Sequence, residues 1–240
     1  MLHVENRTQD EAAIVTLVGL LGVGTYSKLR DHLLKVSTNN PRAVIVDLTD
    51  MSVESDYSLA VFLTTHTRLQ QWPGVPLLLA AGSDETREII ARNGTARFLP
   101  VHGSVTDAIA AIDQPPPRRV THLRVTNALT SPRIAREFAR MTCHDWKCPQ
   151  FIDEAAMIVG ELVTNTVVHT LSSPTIRLEL RRELFSVAVY DDVPGEVSVR
   201  DPGGTGGLHG LLLVAQIATA WGCSPTSTGG KVVWATMLGR

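Results

Sequence analysis

Three consecutive prolines, Pro115 to Pro117, interrupt the chain near its middle and constrain its fold more than any other feature. A proline run cannot continue a helix and favours an extended, fairly stiff connector. The segment Asp113-Gln-Pro-Pro-Pro-Arg-Arg119 therefore reads as a hinge between two halves of a 240-residue chain. Each half is about the size of a small domain, on the order of 100–150 residues. The expected division is residues 1–113, a linker at 114–120, and residues 121–240.

Before the hinge, strand-like and helix-like patterns alternate. Ala13–Leu21, Ala43–Leu48 and Val75–Ala81 are apolar and rich in β-branched residues, as buried strands are, and Arg97–Val101 is a shorter candidate. Helical patterns lie between them at Tyr26–Ser37, Ser58–Gln71, Asp84–Asn93 and Val105–Ile112. Gly94 ends the third as a C-terminal cap. Such alternation predicts an α/β layer with helices covering a sheet. After the hinge the order changes. Helical patterns at Pro132–Met141 and Phe151–Thr170 come first, then strands at Thr175–Glu183 and Phe185–Tyr190, too close for a crossover helix. A glycine-rich loop, a helix at Leu211–Trp221 and a strand at Lys231–Leu238 complete an α+β sandwich, with helices on one face of a mixed or antiparallel sheet.

Several function classes lose support from composition. A net charge of −2 provides no global basic field for nucleic acid. The N-terminus, MLHVENRTQDEAA, lacks the apolar stretch of a secretory signal, and no run approaches the ~18 apolar residues of a membrane span. Cys143, Cys148 and Cys223 are few and odd in number, which fits a reducing compartment, so the expected address is the cytoplasm. Cys143-His-Asp-Trp-Lys-Cys148 has no second Cys/His pair at a spacing suited to structural zinc. Trp146, Trp221 and Trp234 read as core or interface residues rather than a base-stacking surface.

The most informative segment is Ile158-Val-Gly-Glu-Leu-Val-Thr-Asn-Thr-Val-Val-His169. On a helix, Ile152, Ala155, Val159, Leu162, Val163 and Val167 form one apolar arc. Glu154, Glu161, Asn165 and His169 share the other side, with Ile158 among them. Steps of four residues place Glu161, Asn165 and His169 one turn apart, about 6 Å of rise per step. This is either a solvated polar face or a grip for a metal–phosphate group. In the second case the Asn oxygen is a hard ligand for Mg²⁺ and the Glu deprotonates or orients a nucleophile.

Val187-Ala-Val-Tyr-Asp-Asp-Val-Pro-Gly195 puts Asp191 at the end of an apolar strand. There a carboxylate either belongs to an ordinary turn or accepts a hydrogen bond from a purine's exocyclic amine. Gly203-Gly-Thr-Gly-Gly-Leu-His-Gly210 holds five glycines in eight residues before a helix, a pattern that suits phosphate or a flexible linker. It does not fit G-x-G-x-x-G, because His209 stands at the third place. Pro225 stands where a Walker loop ending at Gly230-Lys231 needs its first glycine.

Glu161-Leu-Val-Thr-Asn165 with His169, Asp191 on a strand end, the Gly206–Gly210 loop and Gly230-Lys-Val-Val-Trp234 occur in this order over about 120 residues. Together they resemble the histidine-kinase-like ATPase superfamily, in particular the anti-sigma-factor serine kinases. The resemblance implies ATP and Mg²⁺ as cofactors, with Asn165 holding the metal and Glu161 as catalytic base toward a serine hydroxyl. It implies Asp191 as the adenine contact, with Gly195, Gly204, Gly206, Gly207 and Gly210 around the nucleotide. Two departures stand out: the glycine pair is stretched to Gly207-Leu-His-Gly210, and Val232 replaces a hydroxyl residue. No dimerisation helix with a phosphoacceptor histidine precedes this half, unlike a sensor histidine kinase.

Val44-Ile-Val-Asp-Leu-Thr-Asp-Met-Ser-Val-Glu-Ser-Asp-Tyr-Ser-Leu59 is similar to the STAS fold of anti-sigma-factor antagonists. Those domains carry Asp-Ser-Ser-Gly at the helix start, and their kinase phosphorylates the serine at its second place. This chain reads Ser55-Asp56-Tyr57-Ser58, so the phosphoacceptor position is Asp56. Asp56 is either a helix N-cap or a partial imitation of phosphoserine, with about −1 charge against about −1.5 to −2. Ser55 and Ser58 are the remaining candidate acceptors.

The combined resemblance implies a regulator of sigma-factor partner switching and hence of transcription. Its expected partners are STAS-domain antagonists, a sigma factor and ATP, without direct nucleic acid or membrane contact, and its expected assembly is a homodimer. The alternative is a non-catalytic interaction module in which nucleotide binding is regulatory or lost. A transporter-associated STAS regulator is disfavoured for want of a membrane segment.

Overall fold

The computed structural model describes residues 2–112, 118–195 and 208–239, and the chain forms two compact units, Met1–Pro115 and Pro116–Arg240. The first unit opens with a hairpin of β1 (Leu2–Gln9) and β2 (Ala12–Leu21). Asp10 and Glu11 join them with φ of 50° and 62°, consecutive left-handed residues of the kind that two-residue hairpin turns require. Then follow α1 (Val23–Ser37), β3 (Val44–Val53), a 3-10 turn at Asp56–Leu59 and α2 (Ala60–Gln71). The unit closes with β4 (Leu77–Ala80), α3 (Asp84–Asn93), β5 (Val101–His102) and α4 (Val105–Ala110). The sheet order is β1-β2-β3-β4-β5, antiparallel only at the first pairing.

Parallel strands need cover on both faces. Val15, Leu17, Val46, Leu48 and Leu79 form one buried face against Leu29 and Leu33 of α1 and Phe62 of α2. Ile14, Ile45 and Leu78 form the other, against Ala108 of α4 and Ile112. Two features differ from the sequence reading. β1 was hidden by its charge, since it is an edge strand whose residues from Glu5 onward are exposed. The strand expected at Arg97–Val101 shrinks to Val101–His102, because Thr95–Arg97 instead form a 3-10 turn behind the left-handed Gly94 cap.

The second unit contains β6 (Arg118–Arg124), α5 (Ser131–Asp145), α6 (Ile152–His169), β7 (Thr175–Arg181), β8 (Leu184–Asp191), α7 (Leu208–Ile217), β9 (Ala220–Pro225) and β10 (Lys231–Leu238). The strand order is β6-β7-β8-β10-β9, and of the two courses the sequence left open every described pairing takes the antiparallel one. Ile176, Leu178, Val187, Val189, Val233 and Ala235 meet Ala155, Val159, Leu162 and Val163 of α6 and Ala135 and Ala139 of α5 in one core. The helix expected at Leu211–Trp221 stops at Ile217. Ala220 and Trp221 instead enter β9, where Trp221 pairs with Ala235 and the Thr219 N–H reaches the Thr236 carbonyl at 2.8 Å. Trp234 is buried in β10, and its cross-strand neighbour must be Gly222: a Cβ there would lie 2.7 Å from the indole ring.

Candidate functional site

Helix α6 is amphipathic, so packing its apolar arc on the sheet aims the opposite side away from the core. Glu161, Asn165 and His169 come together there as the sequence spacing predicts. With Thr164, Val168, Gly210 and Leu211 they line one cavity of about 30 Å³. That is room for about two waters or a small ion. Gly210 stands in the first turn of α7, and a Cβ on it would fall 2.5 Å from a Glu161 carboxylate oxygen. Its glycine identity thus leaves space for the carboxylate.

One neighbour escaped the sequence reading. Arg136 of α5 approaches Glu161, with Nη2 3.7 Å from Oε1 and both side chains about one-third exposed. The guanidinium lies across α6 at Gly160, where any Cβ would collide with it. Solvent screens a pair of this exposure, so its effect is to orient the carboxylate more than to stabilise the fold. The signal was the i, i+1 pair Gly160-Glu161, a helical glycine beside a carboxylate of the polar face.

The strand ends are tied to the end of α6. Asn127 donates from Nδ2 to the carbonyls of Thr170 at 2.8 Å and Ser172 at 2.9 Å. Ser172 Oγ accepts the Asp192 N–H at 3.0 Å. Asp191, the last residue of β8, is therefore held at the same end of the unit as His169. Its side chain is buried, its Oδ1 accepts the Val193 N–H at 2.9 Å, and its Oδ2, which accepts no hydrogen bond among the described residues, lies 2.9 Å from Lys231 Nζ as an ion pair. Lys231 also donates to the Val193 carbonyl at 3.0 Å. In the register Lys231 pairs with Asp191, and Val232 pairs with Tyr190.

Gly195 has a φ of 138°, which only glycine adopts readily. Gly204, Gly206 and Gly207 lie outside the described residues. Cys143 and Cys148 are both buried, and burial pushes the Cys143 thiol up to about 12. No group of metal-ligating His, Cys, Asp and Glu is found among the described residues. Nor does any described helix have the length and apolarity to cross a membrane.

In the first unit, Ser55 is the N-cap position of the 3-10 turn, without a side-chain capping bond, and Asp56 is its first residue. Asp56 is thus not the cap itself. Its carboxylate lies 3.4 Å from Arg92 Nε, and its carbonyl accepts from Asn93 Nδ2 at 2.8 Å. Ser58 is buried and its Oγ has no partner among the described residues, while Tyr57 is 86% exposed beside it.

Comparison with known proteins bears on this first unit. The chain resembles solved structures of an anti-sigma factor antagonist from Mycobacterium paratuberculosis (20% identity, 47% of this chain and 94% of that one, TM-score 0.42) and a putative anti-sigma factor antagonist from Thermotoga maritima (12% identity, 46% and 95%, TM-score 0.41). The Bacillus cell fate determinant SpoIIAA in the phosphorylated form also matches (14% identity, 47% and 100%, TM-score 0.35). No curated protein matches the chain. Residues 3–108 match the model of the STAS domain family, and the N-terminal unit of this chain is a STAS domain.

Proposed function

We propose that the chain is a partner-switching regulator in which the STAS unit is joined to a nucleotide-binding unit of the histidine-kinase-like ATPase type. The observation that carries this reading is the cavity shared by Glu161, Asn165 and Gly210. A carboxylate and a carboxamide one helical turn apart face a space with room for a small ion, and the donor set of oxygen atoms suits Mg²⁺. The phosphate end of a nucleotide site thus fits the residues present. At the other end Asp191 is the residue to hold a base.

In this reading Asn165 would ligate the metal, and Gly195, Gly204, Gly206, Gly207 and Gly210 would border the nucleotide. Mg-ATP supplies an activated γ-phosphoryl group when bound. Glu161 accepts the proton of a serine hydroxyl on a STAS partner protein, and Arg136 keeps the carboxylate turned to the cavity. Phosphoryl transfer depends mostly on positioning and charge, so this short list of residues suffices. Asp56, with its charge held by Arg92, stands where the partner's serine would be and partly imitates a phosphorylated antagonist. The STAS unit of this chain is then a binding surface rather than a substrate, for a kinase or sigma-factor partner of the same pathway.

A second reading is favoured by one specific observation, the Lys231–Asp191 ion pair. If that pair never opens, the second unit is a docking module without nucleotide. Titration calorimetry with Mg-ATP separates the two, followed by phosphate transfer to purified STAS antagonists. Glu161→Ala should abolish transfer and leave binding within about threefold. Transfer by that variant at the wild-type rate would remove Glu161 as the base, and absence of binding by the wild type would leave only the docking module.

A further inference from the structure

Lys231 begins β10 with its side chain on the helix-covered face of the sheet, since Val233, Ala235 and Met237 at the alternate positions belong to the core. Asp191 reaches the same face from β8, directly opposite in the register. The two side chains are 10% and 1% exposed, so the pair is formed out of water. A desolvated pair of this kind is costly to break one-sidedly, because the abandoned charge stays buried. Nothing about the spacing of the strands forces the choice: a shorter or apolar side chain at 231 would leave the Asp191 carboxylate with only the Val193 N–H.

We infer that Lys231 is a built-in latch on the base end of the site, an ammonium that lies 2.9 Å from the carboxylate oxygen a purine amine would need. The inference rests on the nucleotide reading above and adds its regulation. An amine at the 6-position of a base reaches Oδ2 only when the Lys231 ammonium moves aside, because the two side chains are packed together out of water. The cavity at Glu161 and Asn165 has room for a small ion while Lys231 lies against Asp191, so the base is admitted last. The affinity of the wild type is reduced by the cost of opening.

The test uses the whole chain. Lys231→Met removes the charge and is one atom shorter, and calorimetry with Mg-ATP and Mg-ITP reads the result. ITP carries a carbonyl where ATP carries the amine. The latch predicts that Lys231→Met binds Mg-ATP at least tenfold more tightly than the wild type, with a gain for Mg-ITP of less than threefold. Equal Mg-ATP affinity in wild type and variant overturns the latch and leaves the nucleotide reading standing. No binding by either protein overturns both. An equal gain for ATP and ITP overturns the assignment of Asp191 as the acceptor that Lys231 guards.

Should Lys231→Met fail to fold, acetylation of the wild type decides. Lys231 should resist an amine-acylating reagent without ligand and gain at least fivefold in labelling under saturating Mg-ATP, read by peptide mass spectrometry. Unchanged protection at saturation overturns the latch.

Discussion

Replacing Gly210 by alanine should separate the stability of the second unit from its chemistry. The added Cβ would stand 2.5 Å from Glu161 Oε2, about 1 Å inside ordinary contact. The group it meets is the end of a flexible side chain, 29% exposed, that can swing toward solvent. Leaving a preferred rotamer costs about 0.5–1.5 kcal/mol. Against this, alanine is favoured over glycine in a helix by about 1 kcal/mol. The two effects nearly cancel, so the melting temperature should move by less than about 4 °C in either direction. The carboxylate, however, leaves the cavity it shares with Asn165, and under the proposed function, where it is the general base, its positioning contributes about 10²–10⁴-fold. Calorimetric melting together with single-turnover transfer to a STAS antagonist measures both. A melting point lowered by more than 8 °C would mean that Glu161 cannot move aside. Wild-type transfer would mean that its present position is not the working one.

Gly222→Ala should behave in the opposite way. Its Cβ meets the indole of Trp234, a rigid and buried ring, and overpacking of this kind costs about 1–3 kcal/mol. Urea unfolding followed by tryptophan fluorescence should show the lowered midpoint, and an unchanged midpoint would contradict the packing described. His122, exposed on the edge strand β6, should add a small acid sensitivity to the second unit. Burial, and then the Arg177 guanidinium, hold its pKa below the ordinary value of 6.5, with Glu179 opposing. The unfolded chain therefore binds that proton more tightly, so the contribution is fully present above about pH 6.5 and is lost as pH falls through the folded value. His122→Gln should lose less stability than the wild type between pH 7.5 and 5.0, and equal losses would place the acid sensitivity elsewhere.

The sequence revealed those parts of the fold that periodicity governs. β10 begins at Lys231 and ends at Leu238 as its apolar run predicts, and α6 carries its apolar arc into the core. Glu161 and Asn165 share a cavity because a spacing of four is enough to align residues on a helix. Edges and partners were less legible. β1 is charged because only one edge of it is paired, so it lacks the pattern of a buried strand. Trp221 suits a helix or a strand equally in isolation, and its pairing with Ala235 decides. Arg136 and Lys231 reach the site from α5 and β10, about 25 and 40 residues away from Glu161 and Asp191 in sequence. Only the packing of α5 on α6 and the register of β8 on β10 bring them there.

The dependence of Arg136 on Gly160 carries over to any chain built on the same plan. A methyl group at position 160 would push the guanidinium off the helix and leave the neighbouring carboxylate without its escort, although no atom of residue 160 faces the cavity. A search that scores only the acid and the amide would accept such a chain as intact. Asking whether an arginine one helix over is matched by a bare backbone just before the acid would tell the two apart.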